Sequence, residues 1–345
     1  MSMNAEHDGA AEAGTVDTDT VEKDAAGTDT AGSDTAGAVG TATPADSASG
    51  ALRLAAVVIT MGARPKELAE LLRTVAEQQG DPIDVVVVGN GIKASELPDL
   101  GSARTLDLPE NLGIPGGRNR GYALLQALPA QERPEVILTL DDDGALAGER
   151  VGERLREAFA NDPRLGIVSF RIADPVTGAV ARRHVPRLRA SDPDRPGPVT
   201  TFLGGASAIR IDVLDQVGGL PDDWFYCHEE TDLAWRALDA GWSIAYLPDL
   251  TLLHPSTSPT RHATYNRLVA RNRVWLARRN LPAVLVPLYL GSWIVLTHLR
   301  MRDPASLKAW WGGFAEGWRT PAGDRRPMRW RTVGRMTRIG RPPVV

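Results

Sequence analysis

Val136-Ile137-Leu138-Thr139-Leu140-Asp141-Asp142-Asp143-Gly144 is the stretch on which the reading of this 345-residue chain turns. Five residues that favour an extended backbone run without a break into three carboxylates and a glycine. A short apolar run bounded by a turn signal reads as a buried strand. Ligands bind at the carboxyl ends of strands in open α/β sheets. Asp141 and Asp143, two apart in a turn, can share one hard divalent cation through oxygen ligands, and such a cation neutralises a pyrophosphate. The plain alternative is an Asp/Gly turn after a strand. The sequence on either side bears on which reading holds.

Upstream, Leu54–Thr60 reads as a buried strand, and Met61–Pro65 as a loop whose proline suits a first helical turn. Leu68, Leu71, Leu72 and Val75 recur at helical spacing within 65–79. Ile83–Val88 is a second strand, ending in Gly89-Asn90-Gly91. Strand, helix, strand implies a parallel pair with a right-handed crossover. A third strand over 103–108 leads into Asn111-Leu112-Gly113-Ile114-Pro115-Gly116-Gly117-Arg118-Asn119-Arg120-Gly121, which reads as a loop whose last part starts a helix. Its glycines allow close approach of backbone to a ligand. Free N–H groups at the helix start favour an anion or polar ligand. The spacing is not that of a dinucleotide-binding fingerprint, and a glycine-rich loop chosen only for its turns remains open.

Downstream, the pattern predicts a helix over 149–161, a strand over 165–171, and a long irregular connection over 173–198 rich in Pro, Arg and Asp. Thr201–Arg210 reads as a strand with paired glycines, and Ile211–Val217 as a short helix. His228-Glu229-Glu230-Thr231-Asp232 opens a further helix, with acids in its first turn and Gly241 past its end. Asp232 and Arg236, four apart, can pair. Ile244–Leu247 and Thr251–Leu253 are short strands, followed at once by His254.

Charge divides the chain. Residues 1–50 carry ten acids and one base, with no aromatic residue, whereas the remaining 295 hold 33 acids and 38 bases. The first segment cannot bury enough apolar surface to offset its ordering entropy, so it reads as a disordered acidic tail. It has no basic start followed by an apolar run, so it does not read as a signal peptide. Cys227 is the only cysteine, which excludes an intramolecular disulfide and a cysteine-based zinc site. It reads as a structural thiol.

The order of these features resembles the inverting, GT-A type family-2 glycosyltransferases, over roughly residues 52–280. The resemblance implies an α/β fold: a mostly parallel sheet flanked by helices, with a C-terminal helical extension. The parts are then a tail over 1–50, a catalytic domain over 51–265 and an Arg/Trp-rich extension over 266–345. The family's Asn-x-Gly-x-x-x-Gly-x-Asn-x-Gly loop matches Asn111, Gly113, Gly117, Asn119 and Gly121, which would lie near the donor nucleotide together with Asn90. Gly89 stands where the family usually has a base-binding Asp. The family's Asp-x-Asp matches Asp141 and Asp143, which would bind Mg²⁺ or Mn²⁺ on the donor diphosphate, with Asp142 between them and His254 as a third ligand. Its acidic signature matches Glu229-Glu230-Thr231-Asp232, with Glu230 aligned to the catalytic base. The implied reaction moves a hexose or pentose from a UDP- or dTDP-sugar to a cell-envelope glycan or polyprenyl-linked acceptor, as rhamnosyl- or galactofuranosyltransferases do.

Two other functions compete: a sugar-phosphate nucleotidyltransferase, and an inactive sugar-nucleotide-binding module. The Arg/Trp-rich C-terminus carries no nucleic-acid motif, so nucleic acid is not an expected partner. Leu281–Leu299 is 19 residues without Asp, Glu, Lys or Arg, long enough to approach a bilayer span. Pro282, Pro287 and His298 weaken that reading. A peripheral anchor on an anionic membrane surface, at the inner face of the plasma membrane, suits the basic flanks better.

Overall fold

The computed structural model describes residues 52–188, 192–255 and 263–344. The disordered tail expected over 1–50 lies outside them. The described elements are β1 (Leu54–Thr60), α1 (Pro65–Ala76), β2 (Ile83–Asn90), β3 (Arg104–Leu108), α2 (Gly113–Gln126), β4 (Val136–Asp141), β5 (Ala145–Leu146), α3 (Val151–Asn161), β6 (Leu165–Ala173), β7 (Gly197–Pro198), β8 (Ala206–Arg210), α4 (Ile211–Val217), α5 (Glu229–Ala240), β9 (Ser243–Leu253), and the C-terminal helices α6 (Ala263–Asn280), α7 (Leu285–Arg300), α8 (Pro304–Arg319) and α9 (Trp330–Ile339).

One sheet runs in the order β3-β2-β1-β4-β8-β6-β9-β5, with β7 paired to β9. Its first four strands are parallel. β8 lies antiparallel between β4 and β6, and β6 and β9 are again parallel. The sheet is therefore mixed, with its longest ladders parallel and its shortest ones antiparallel. The continuous apolar runs of β1, β2 and β4 arise because helices cover both faces. Alternate residues serve opposite cores, as a period of two requires. Ala55, Val57, Val86, Val88 and Ile137 pack with α2, α4, α5, α6 and α7. Leu54, Ala56, Val58, Val87, Leu138 and Leu140 pack with α1 and α3. The C-terminal helices thus share a core with the sheet.

Three elements differ from expectation. The glycine-rich stretch is helix from Gly113 onward. A Cβ on Gly121 would stand 2.6 Å from Val57 Cγ1 and 3.2 Å from Val88 Cγ2, so this glycine lets α2 lie directly on β1 and β2. Only the second half of Thr201–Arg210 is strand, because Gly204-Gly205 forms the turn that passes Asp141. The two short strands expected around Pro248 are one long β9, whose pairing with β6 shifts register between Phe170 and Arg171.

Replacing Gly121 by Ala weighs two opposing effects. Helix propensity would gain about 0.5–1 kcal/mol, while overpacking against two valines costs about 1–3 kcal/mol. Net destabilisation is expected in urea unfolding. A stabilised variant would show that α2 does not sit this close to the sheet.

Candidate active site

β1, β2 and β4 end on one side of the sheet, and the site is built there from their carboxyl ends, the start of α2, the turn before β8 and the start of α5. Asp141 closes β4 opposite Ile59 of β1. Its backbone N–H donates to Gly205 O (3.0 Å), and its side chain occupies the space where a Cβ on Gly205 would be. Arg118 of α2 donates from Nη2 to Asp141 Oδ1 (2.8 Å). The Arg118 side chain is only 3% exposed, and its Nε has no acceptor among the described residues.

Asp142 accepts from Thr60 Oγ1 (2.6 Å); burial raises its pKa above the ordinary carboxylate range. Asp143 is buried and contacts both Arg64 and His254, with His254 Nε2 2.9 Å from Oδ1. Burial alone would raise the Asp143 pKa, but the hydrogen bond and charge of His254 outweigh it and hold it low. The His254 imidazole is correspondingly raised, first by its bond to Asp143. His254 Nδ1 lies 2.9 Å from Pro255 O. Asp143 and His254 are therefore brought together as expected, whereas Asp141 faces Arg118. No three described His, Cys, Asp or Glu residues form a metal-sized cluster.

The donor-loop residues hold one another. Asn90 Nδ2 donates to Asn111 Oδ1 (2.9 Å) and Gly113 O (3.0 Å), and Asn90 Oδ1 accepts from Leu112 N (2.9 Å). Asn119 Nδ2 donates to Leu220 O (2.7 Å) and Asp222 Oδ1 (2.5 Å), and its Oδ1 accepts from Leu220 N. These asparagines tie the start of α2 to β2 and to the turn after α4. Gly113, at φ +72°, passes against the Phe225 backbone, and Gly117 against Asn90. At Gly89 an added Cβ would stand 2.7 Å from Ala94 N, so the turn after β2 fills the space that the family's base-binding Asp would need.

Across from Asp141, α5 begins with Glu229 and Glu230. Glu229 is 4% exposed, with Oε2 unpartnered. Burial, and then the charge of Glu230, pushes the Glu229 carboxyl from the ordinary 4.5 up to about 8. Glu230 is raised as well, by burial first, against the opposing pull of a backbone hydrogen bond and of the Arg118 charge. Asp232 is fully buried and donates nothing to the cleft: it accepts from Arg236 Nε (2.7 Å) and Asn280 Nδ2 (2.7 Å), with Arg279 at 3.4 Å. It anchors α5 to α6. Cys227, whose thiol pKa burial pushes up, has no nucleophilic character.

Arg118 and Arg64 escaped sequence reasoning. Arg118 sits inside the Asn/Gly motif, and a buried arginine between acidic motifs is a signal that pairing three carboxylates in one site could have raised.

Residues 56–218, a little under half of the chain, match Glycosyl transferase family 2. The match ends before Glu229 and Glu230. Among solved structures, residues 1–349 of TarS from S. aureus superpose with a TM-score of 0.52 at 17% identity, covering 77% of this chain and 81% of that one. The same fragment in complex with UDP-GlcNAc gives 0.53 at 14%, covering 82% and 83%. GalNAc-T7 with UDP, GalNAc and Mn²⁺ gives 0.55 at 13%, covering 79% and 57%. At these identities the likeness is one of fold, the GT-A glycosyltransferase fold. No curated protein matches the chain. Domain and fold together are those of a glycosyltransferase.

The raised Glu229 pKa has a stability consequence. Between pH 4.5 and about 8 the folded state keeps a proton that the unfolded chain has lost, so stability falls as pH rises through that window. Glu229→Gln cannot ionise and should flatten that fall, gaining on the wild type by pH 8 in thermal or urea unfolding. Parallel pH profiles would show that Glu229 is not the proton holder.

Proposed function

We propose that this protein is an inverting transferase that moves a sugar from a UDP- or dTDP-sugar to a hydroxyl of a cell-envelope glycan or lipid-linked acceptor. The observation that carries the reading is the opposition of Asp141 and the Glu229–Glu230 pair around one buried guanidinium, Arg118. Glu230 is the general base of this scheme. It stands at the first turn of a helix, where the dipole favours a carboxylate, and the charge of Arg118 lowers the cost of ionising it. Taking the acceptor proton as the hydroxyl attacks the anomeric carbon needs one such carboxylate, and direct attack needs no covalent intermediate.

The reading includes a divalent cation. Asp143 and His254 fit one: carboxylate oxygen and imidazole nitrogen already face each other at 2.9 Å, and Asp141, which here faces Arg118, would complete the set by turning toward them. Two carboxylates and an imidazole suit Mn²⁺ better than Mg²⁺. When bound, the ion stabilises charge on the departing diphosphate. Arg64, now on Asp143, and Arg118, now on Asp141, are the side chains whose contacts the ion would compete with.

Glu230→Gln should lower kcat by about 10²–10⁴-fold with donor affinity nearly intact. The measurement is nucleotide release from a panel of nucleotide sugars that includes dTDP-rhamnose and UDP-galactofuranose, with Glu229→Gln beside it. If Glu229→Gln is the dead variant and Glu230→Gln is nearly normal, the base is misassigned. Pyrophosphate release in place of nucleoside diphosphate would make the protein a nucleotidyltransferase.

A peripheral membrane position belongs to the same reading. Among the described residues no helix is long and apolar enough to cross a membrane. α7, at 16 residues, spans about 24 Å, against roughly 30 Å of hydrocarbon. It does expose Leu288, Val295 and Leu299 along one side, and Trp311 and Trp318 of α8 are exposed as well. His298 packs against Trp311, so the two helices meet there. Residues 300–345 add eleven bases against three acids. Binding to anionic vesicles that weakens with salt is expected. Leu288→Glu with Trp311→Glu should abolish it in sedimentation, and full retention in that variant would remove this surface from consideration.

A further inference from the structure

Behind the Glu229–Glu230 pair lies a cavity of about 80 Å³, well above the roughly 10–15 Å³ that one water needs. Its walls include Thr200, His228, Thr231, Arg273, Trp293 and Arg341. Thr231 follows Glu230 directly on α5, and Arg341 comes from the segment after α9, close enough to Glu230 for their charges to interact.

Several donors of this cavity are unused. Arg273 is 7% exposed. Its Nη2 donates to His228 Nε2 (3.1 Å), while its Nε has no acceptor. Thr200 Oγ1 and Trp293 Nε1 are likewise buried without partners. Arg273 stacks 3.5 Å over the Trp293 ring, which fixes the guanidinium plane but neutralises no charge. Among the described residues neither Arg273 nor Arg341 is ion-paired with a carboxylate. His228 does not compensate: burial holds its imidazole neutral. Keeping the buried guanidinium of Arg273, the half-buried one of Arg341 and the orphan donors of Thr200 and Trp293 around an empty volume is costly unless an anion completes the set.

We propose that this cavity is an anion subsite that receives a phosphate group of the acceptor, with Arg273 and Arg341 as charge partners and Thr200 Oγ1 and Trp293 Nε1 as donors. A phosphate suits it better than a carboxylate, because its oxygens point in several directions and the unused donors converge from several elements. The word acceptor rests on the transfer reading above; binding of the anion does not. Seated there, the phosphate lies beside the base, so the hydroxyl presented to Glu230 belongs to a phosphorylated molecule. Two sources share this chemistry: the headgroup of a lipid phosphate and a phosphate carried by a soluble glycan.

The test uses the full chain and inorganic phosphate in titration calorimetry, without donor or turnover, so its outcome is independent of whether nucleotide release is ever observed. Saturable binding is expected, weakened about tenfold or more in Arg341→Gln, where a charged hydrogen-bond donor is lost. Thr200→Val, which keeps the side-chain shape, should weaken it less but measurably. Both substitutions lie away from Asp141 and Asp143, so their effect separates this subsite from phosphate taken up in the donor cleft. Absence of binding to the wild type, or equal binding by both variants with unchanged thermal unfolding, overturns the proposal. Vesicles of phosphatidylcholine with and without a polyprenyl phosphate identify the source. Retention that inorganic phosphate competes away assigns the subsite to a lipid headgroup. Calorimetric binding without such retention assigns it to a soluble phosphorylated glycan.

Discussion

The buried guanidinium of Arg118 is the charge that lets this site exist. Asp141, Glu229 and Glu230 converge on this one group, and burial opposes the ionisation of the two glutamates. Arg118 answers Asp141 directly at 2.8 Å and lowers the cost of ionising both glutamates. What one positive charge cannot cover shows as raised pKa values for both glutamates. The glycines follow from the same need. Gly204 and Gly205 leave room for the arginine and for Asp141, and Gly121, one turn further along α2, lets that helix lie low enough on the sheet for Arg118 to reach the end of β4.

Two acids that start as neighbours on one helix thereby acquire different roles. Glu229 is the more deeply buried, lacks a partner at Oε2 and keeps the proton. Glu230, which is less buried, is raised by burial too, with a backbone hydrogen bond and the charge of Arg118 opposing. Environment, not residue type, separates them, the pattern expected of an acid/base pair. Asp232, two residues on, has a third fate. Two arginines and an asparagine enclose it, so its charge serves the attachment of α5 to α6. A buried ion pair of this kind gives orientation more surely than stability.

Much of the fold was legible because burial on both faces of a sheet leaves unbroken apolar strands. β1, β2 and β4 fell where Leu54–Thr60, Ile83–Val88 and Val136–Leu140 placed them. The acidic strand end, the acid pair at the start of α5 and the Asp143–His254 contact were legible for a similar reason: the carboxylates are local in sequence to strand and helix ends. Other features were not. Asn90, Asn111 and Asn119 carry the motif's polarity, yet their side chains are spent on backbone groups of neighbouring loops, partners up to 101 residues away. Spacing cannot reveal where such bonds end. The helix from Gly113 was hidden because glycine opposes helix locally, and only the close approach to Val57 and Val88 repays it. Arg118 went unseen because an arginine in a polar loop reads as exposed.

The C-terminal helices then stop being an appendage. The loop before α5 contains Phe225, Cys227 and His228, all with positive φ, each costing of order 1–3 kcal/mol unless its surroundings enforce it. α6 supplies the enforcement. Asn272, wholly buried, donates from Nδ2 to the carbonyls of Trp224 (3.0 Å), Tyr226 (2.7 Å) and Cys227 (3.0 Å), and Arg271 Nη2 adds a further bond to Trp224 O. One amide cannot give three full hydrogen bonds with two protons, so these contacts are shared, and their function is to gather the carbonyls rather than to saturate them. The carbonyl of Phe225, left outside the cluster, accepts from Ile114 N at the start of α2 (2.8 Å). The strained loop is thus held from α6 on one side and from α2 on the other. The two helices that grip it carry Arg273 and Arg118, and the side chains positioned between them are Glu229 and Glu230. A helix that lies beyond the family match in sequence is in this way part of what aims the candidate base.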